Sequence, residues 1–116
     1  MPQFYLHYTS RESAQQISAS GKLQPRRPGQ RLYLSEDFYN RGADAVRNLG
    51  IWGKPVELAC VVPAIDVDGN VWLSERGLAD PAIWDEQRNR TGGGSQYYTY
   101  DEIDISRATW LELFAP

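Results

Sequence analysis

The 116-residue chain is long enough for one compact domain and too short for two, so we expect residues 1–116 to form a single domain. Its composition is globular, with 41% hydrophobic and 23% charged residues, and 12 Lys and Arg against 15 Asp and Glu give a net charge of −3. This acidic balance argues against sequence-independent binding to nucleic-acid phosphates, which needs a basic face.

The first half of the chain alternates strands with two helices. An aromatic-rich run over residues 3–8 predicts a buried strand. A helix follows, for which Thr9 and Glu12 have the spacing of a capping box and Gly21 is placed to end it. The pattern then predicts, in order, a short strand over 22–24, a proline turn over 25–29, a strand over 31–35 and a helix over 39–49.

The second half consists mostly of strands and loops. Residues 56–62 are apolar on both faces, which favours a central strand. We expect residues 73–90 to be irregular or weakly helical and to face solvent, and the glycine-rich residues 91–95 to form a flexible loop. Strands are predicted over 96–100 and 108–114. The expected fold class is therefore α+β, with two helices in the N-terminal half.

Cysteine and histidine each occur once, which limits the available chemistry. Cys60 cannot form an intramolecular disulfide and lies in an apolar run, so we expect a buried thiol rather than a nucleophile. With His7 as the one histidine, we expect no metal site. The chain has no apolar run of transmembrane length and no signal-peptide pattern, so we expect no membrane association.

Four segments, taken in chain order, resemble one family of enzymes. His7-Tyr8-Thr9 resembles the His-x-Ser/Thr strand end of ADP-ribosyltransferases of the diphtheria-toxin and poly(ADP-ribose)-polymerase type. Residues 17–23 are similar to that family's helix end and second strand, and residues 29–35 to its Gly-x-Gly-x-Tyr-Phe segment. Residues 95–101 are similar to the strand that begins with the family's third motif residue. The small size and the His-Tyr-Thr-Ser opening resemble compact bacterial polymorphic-toxin members, including the HYD signature group. The resemblance implies an ADP-ribosyltransferase-like split β-sheet.

The resemblance also implies which residues bind NAD. His7 would hydrogen-bond the adenosine-side ribose hydroxyl, with the Thr9 hydroxyl nearby. Tyr8 stands where many relatives have a glycine whose backbone groups grip the nicotinamide carboxamide. Tyr33 would stack on the nicotinamide ring, where cation–π attraction favours the positive charge. Ser35 and Tyr39 complete the residues expected to contact NAD.

The chain departs from the family pattern at two positions. Gln96 stands where relatives of the poly-ADP-ribosylating type have the glutamate that binds the ribose 2′-hydroxyl, and a neutral amide supplies no negative charge. Nearby acids are alternatives for this role, although solvated acids at a strand end are the interpretation we favour: Asp101, Glu102 and Asp104. The second tyrosine of many relatives is replaced by Asp44, and Phe38 and Tyr39 are aromatic but come earlier.

From this resemblance we expect an NAD-dependent mono-ADP-ribosyltransferase with His7, Tyr33 and Gln96 as catalytic residues. NAD would be the co-substrate, a protein the acceptor, and a cognate immunity protein a further partner of a monomeric toxin or effector. Such a chain would be delivered to the cytoplasm of a target cell, or act in its own cytoplasm. The alternatives are an NAD glycohydrolase, an inactive relative that binds NAD or ADP-ribose or serves as an interaction module, and a relative that acts on nucleic acid, against which the acidic balance argues.

Overall fold

The computed structural model describes residues 3–49, 55–67, 71–73 and 96–114. Within these ranges the chain forms two α-helices, a 3₁₀ turn and a series of β-strands. In chain order, the elements are β1 (Phe4–Thr9), α1 (Arg11–Ser20), β2 (Lys22–Leu23), β3 (Leu32–Ser35), α2 (Gly42–Leu49), β4 (Leu58–Pro63), the 3₁₀ turn Ala64–Val67, β5 (Trp72–Leu73), β6 (Gln96–Thr99), β7 (Ile103–Asp104) and β8 (Thr109–Glu112). The predicted α+β class is confirmed.

The described strands make one large sheet and one small one. The large sheet has six strands in the order β5-β6-β3-β1-β4-β8, and the small sheet pairs β2 with β7. Every pair of neighbouring strands in both sheets is antiparallel. β1 and β4 therefore lie inside the large sheet, which explains why their sequences are apolar.

The two neighbours of β1 pair with it to very different extents. β1 and β4 pair along six residues, from Phe4↔Pro63 to Thr9↔Leu58. β1 and β3 share the one pair Leu6↔Ser35. The hydrogen-bonded ladder between β1 and β3 therefore stops after this pair, and the sheet is open there.

Two apolar clusters pack on opposite faces of the large sheet. On one face, Tyr5, Leu34 and Val62 pack with the small sheet through Leu23 and Ile103. The other face packs against α2, and its buried cluster consists of Leu6, Tyr8, Ala45, Leu49, Val56 and Ala59. Because Tyr5 and Leu6 are consecutive, they point to opposite faces, and β1 contributes to both clusters.

Helix α1 begins one residue later than predicted. Thr9 pairs with Leu58, so β1 continues through Thr9, and Ser10 becomes the N-cap, its hydroxyl accepting from the Ser13 N–H at 3.1 Å. The predicted capping box of Thr9 and Glu12 is therefore wrong. The predicted end is confirmed, because Gly21 caps the helix in the left-handed conformation at φ 77°.

Helix α2 is shorter than predicted. It begins at Gly42 rather than at residue 39, and its first residue has a packing reason to be glycine. A Cβ on Gly42 would lie 2.0 Å from the Val56 carbonyl oxygen, so no larger residue fits without a backbone shift.

The other strand predictions are confirmed to within two residues, and two short strands, β5 and β7, were not predicted. The predictions for residues 74–95, an irregular or weakly helical segment and a glycine-rich loop, lie outside the described residues. Neither helix of the described ranges has the length and the apolar character needed to cross a bilayer.

Candidate functional site

A cavity of about 800 Å³ occupies the opening between β1 and β3. Residues from both faces of the sheet line it, together with α1, β2 and the turn that follows β2. The strand register places Tyr33, Ser35 and Gln96 on one face, whereas His7 pairs with Cys60 and lies on the other. These side chains reach one cavity because the ladder between β1 and β3 stops at Leu6↔Ser35.

His7 is held in one tautomer by a backbone carbonyl. Its Nδ1 lies 3.0 Å from the Tyr33 carbonyl oxygen, which can only accept, so Nδ1 carries the proton and donates. The half-buried ring lines the cavity, and burial lowers its pKa from the ordinary value of 6.5, with the Tyr33 hydrogen bond opposing that change. The neutral ring therefore has Nε2 as a hydrogen-bond acceptor.

Gln96, on the other side of the cavity, is also held by a hydrogen bond to a backbone carbonyl. Its Nε2 donates to the Leu49 carbonyl at the end of α2, at 2.5 Å. The residue is 4% exposed, lines the cavity, and its Oε1 is buried with no hydrogen-bond partner in the described part of the chain. Buried polar atoms are nearly always hydrogen-bonded, so Oε1 is an acceptor that a bound donor would satisfy.

Tyr33 contributes an aromatic side chain to the same cavity. It lies in the middle of β3, is half-buried and lines the cavity. Its ring meets the ring of Tyr98, its partner in the β3–β6 register, at a centroid distance of 6.5 Å and an interplanar angle of 62°. This edge contact with Tyr98 holds one side of the Tyr33 ring in place.

Three of the other four residues expected to contact NAD line the cavity: Tyr8, Thr9 and Ser35. The Tyr8 hydroxyl donates to the Asp37 carbonyl at 2.7 Å and accepts from the Tyr39 N–H at 2.9 Å, which ties the loop after β3 to β1. Burial raises the pKa of Tyr8 to about 12, so this hydroxyl keeps its proton. Tyr39 is outside the cavity lining, and its ring contacts that of Tyr8 at 5.9 Å.

None of the alternative acids at the third motif lines the cavity. Glu102 is exposed and pairs with Lys22 at 3.2 Å, and Asp104 accepts from the Ser106 N–H at 2.7 Å. Asp101 is exposed at the bend after β6. Asp44 lies in α2 and Phe38 is exposed in the loop before it, and neither lines the cavity.

The charged residues that line the cavity are all cationic in the described chain. Lys22, Arg26 and Arg31 surround one part of it, and no described Asp or Glu is among the lining residues. Ser10, the N-cap of α1, and Ser13 in its first turn also line the cavity, and the Glu57 carboxylate already accepts from the Arg11 N–H at this helix end, at 2.9 Å. The described lining therefore favours an anionic ligand, although Glu102 offsets the charge of Lys22 at 3.2 Å and the whole chain has a net charge of −3.

This cationic lining is the feature that sequence reasoning missed. The signal was present as three basic residues in the turn between β2 and β3, Arg26, Arg27 and Arg31, of which two line the cavity. Turn residues have no periodicity, so only the folded chain shows where they point.

The single cysteine is outside this site. Cys60 is fully buried in the sheet, and burial raises the pKa of its thiol to about 11, as expected for a structural residue. Within the described ranges, no three His, Cys, Asp or Glu side chains come together as metal ligands.

The fold and the cavity together define a small α+β protein whose antiparallel sheet opens onto a polar, cation-lined site. Comparison with family models, with curated proteins and with solved structures gives no match to this chain.

Proposed function

We propose that this protein is an NAD-dependent mono-ADP-ribosyltransferase, with an ADP-ribosyltransferase-like split sheet, that acts as a toxin or effector on a macromolecule of a target cell. The observation that carries the proposal is that one cavity is lined by His7, Tyr33 and Gln96, the three residues that resemble the family's motifs. They come from three different strands, far apart in the chain, and no local pattern requires them to meet.

The chemistry of the cavity suits the parts of NAD. Its volume of about 800 Å³ lies within the range of roughly 300–1,000 Å³ typical of ligand sites. NAD combines an anionic diphosphate with a cationic nicotinamide ring. Arg26 attracts the diphosphate, with Lys22 beside it in an ion pair with Glu102, and the Tyr33 ring accepts the flat, positively charged pyridinium on its face.

The two fixed acceptors suit the ribose hydroxyls. A hydroxyl can donate to His7 Nε2, because the neutral ring has its proton on Nδ1. A second hydroxyl can donate to Gln96 Oε1, which is otherwise buried and without a partner among the described residues. Both acceptors are held by backbone carbonyls before the ligand arrives, which lowers the entropy cost of orienting it.

The reaction breaks the bond between ribose C1′ and the nicotinamide nitrogen, and the electron pair leaves with nicotinamide. The ribose passes through a cationic transition state, and a nucleophile of the acceptor forms the new bond to C1′ and loses its proton. Gln96 positions the ribose but supplies no negative charge to stabilise this cation. We expect catalysis to depend on positioning, and turnover to be slow.

The same observation on Gln96 favours a second candidate, a module that binds NAD or ADP-ribose without turnover. The described cavity lining has no carboxylate, and the Gln96 amide is already bound to Leu49. Such a module would bind NAD with the same residues and leave it intact.

Incubation with NAD labelled in its adenosine part distinguishes these functions. The transferase predicts label on a macromolecule of a treated lysate, and loss of that label in His7→Ala and Tyr33→Ala, by roughly a hundredfold or more. Phe114→Ala is the matched control, because Phe114 is 70% exposed and lies outside the cavity.

Each other outcome identifies a different function. Free ADP-ribose with no labelled macromolecule identifies an NAD glycohydrolase. Intact NAD that nevertheless binds the protein identifies the module without turnover. If NAD does not bind at all, the proposed function is wrong.

A further inference from the structure

An exposed aromatic cluster lies beside the cavity at the β5 edge of the sheet. The Trp72 and Tyr98 rings stack with centroids 5.8 Å apart and an interplanar angle of 27°. Tyr100 contacts both rings, at 6.1 Å from Trp72 and 5.8 Å from Tyr98. Trp72 and Tyr100 are 48% and 47% exposed, so much of this joined aromatic surface faces solvent. Contiguous exposed rings of this kind are typical of a binding surface rather than of an ordinary protein exterior.

A cation already occupies one ring of the cluster. The guanidinium carbon of Arg31 lies 3.9 Å from the centroid of the Tyr98 ring, which is a cation–π contact. The electron-rich faces of this cluster therefore accept a guanidinium in the folded protein itself. The more exposed rings, Trp72 and Tyr100, offer the same chemistry to a partner.

The charge beside the cluster determines which sign of charge a partner should have. Asp101 directly follows Tyr100, is exposed, and is held at a bend by its N–H, which donates to the Thr99 hydroxyl at 3.1 Å. The neighbouring Glu102 is already paired with Lys22 at 3.2 Å, so the local negative charge comes from Asp101, within a chain of net charge −3. This charge attracts a cationic segment and repels the phosphates of a nucleic acid, which otherwise also stacks on exposed rings.

We propose that Trp72, Tyr98, Tyr100 and Asp101 form a docking surface for a basic peptide segment of a partner protein. Arginine or lysine side chains of that segment stack on the Trp72 and Tyr100 rings, and Asp101 pairs with one of them. Arginine is preferred, because its planar guanidinium both stacks on a ring and pairs with a carboxylate.

The position of this surface relates it to the cavity. Arg31 and Tyr33 both contact the Tyr98 ring, and both line the cavity. A segment on the aromatic surface is therefore next to the ligand in the cavity. The docked protein is then the acceptor of ADP-ribose, a conclusion that rests on the proposed function, whereas the docking itself does not.

Binding of a short, fluorescently labelled peptide of alternating arginine and glycine tests the docking, measured by anisotropy on the full chain without NAD. Trp72→Ala and Tyr100→Ala should each weaken binding roughly fivefold, and Trp72→Phe should keep most of it, since it keeps a ring. Asp101→Asn should weaken binding less, about twofold, with a weaker dependence on salt. Phe114→Ala, an exposed aromatic residue outside the cluster, should bind like the wild type. Circular dichroism on each variant confirms that the protein is folded.

Three results would overturn the docking proposal. The first is equal binding of the same peptide with neutral citrulline in place of arginine. The second is tighter binding of an oligothymidylate, which would make the partner a nucleic acid. The third is wild-type affinity in folded Trp72→Ala and Tyr100→Ala. Because NAD is absent, these results leave the proposed enzymatic function standing, and failure of NAD labelling in turn leaves peptide binding standing.

Discussion

His7 and Gln96, on the two sides of the cavity, are held by the same device. Each donates one N–H to a backbone carbonyl, His7 to Tyr33 at 3.0 Å and Gln96 to Leu49 at 2.5 Å. The Tyr33 carbonyl lies beyond the short β1–β3 ladder, and the Leu49 carbonyl lies at the end of α2. Both carbonyls are therefore at places where regular backbone hydrogen bonding stops. Each side chain therefore satisfies a backbone group and has its second polar atom left as an acceptor.

The two residues differ in burial and in charge chemistry. His7 is half-buried and able to gain a proton, whereas Gln96 is 4% exposed and always neutral. The Tyr33 carbonyl can be hydrated from the cavity if His7 is removed, but the Leu49 carbonyl would lose its partner in a buried place. The comparison predicts that loss of His7 affects mainly ligand binding, whereas loss of Gln96 also destabilises the fold.

The largest expected effect is the loss of stability in Gln96→Leu. The substitution keeps the side-chain volume but leaves the Leu49 carbonyl without a donor, which should lower the free energy of unfolding by about 2 kcal/mol. Urea denaturation measures this loss. His7→Leu is the matched control and should cost less than about 1 kcal/mol, because water can reach the Tyr33 carbonyl. Equal losses in the two variants would contradict the comparison.

The next effect is on affinity. His7→Ala should weaken NAD binding about tenfold, because the hydrogen bond from a ribose hydroxyl to the imidazole is lost. Isothermal titration calorimetry measures the affinity, and urea denaturation of the same sample measures the small accompanying stability loss. An unchanged affinity in the folded variant would remove His7 from the binding site.

A smaller effect is expected at the cationic lining. Arg26→Ala should weaken NAD binding about threefold and reduce its dependence on salt, because an exposed charge contributes modestly and is screened. Arg27→Ala is the matched control, since Arg27 is the neighbouring exposed arginine of the same turn and does not line the cavity. Equal effects of the two variants would show that net charge, rather than the position of Arg26, matters.

The smallest effect is the dependence of stability on pH. Because burial lowers the pKa of His7 in the folded protein, the unfolded chain binds the proton more readily between that pKa and 6.5. The contribution of neutral His7 is therefore complete above about pH 6.5 and is lost as the pH falls below it. Comparing the wild type with His7→Gln by urea denaturation from pH 5 to pH 8 isolates this term. Parallel curves would show that the His7 pKa is the same in the folded and unfolded states.

Sequence patterns predicted the features of this molecule that depend on local chemistry. Aromatic and apolar runs located β1, β4 and β6, alternation located β3, and glycine placement located the end of α1 at Gly21. Features set by contacts distant in the chain were not predictable in this way. The N-cap moved to Ser10 because Thr9 pairs with Leu58, and two-residue strands such as β5 are too short to have a pattern.

The candidate site likewise has features that the sequence predicted and features that it did not. Its three central residues were predicted from motif order, and the cavity does bring them together. The bond from Gln96 to Leu49 was not predictable, because it depends on where α2 packs against the sheet. The cationic lining was missed for a similar reason, since only the folded chain shows that Lys22 and Arg26 line the cavity.

Nitrogen NMR of the one imidazole in the chain tests the central claim most directly. Because His7 is the sole histidine, its two ring nitrogens are assigned without ambiguity. The account predicts a neutral ring at pH 7 with the proton on Nδ1, and a shift of the Nε2 resonance as NAD is added. An Nε2 resonance that stays unchanged at saturating NAD, or a ring with its proton on Nε2, would contradict it.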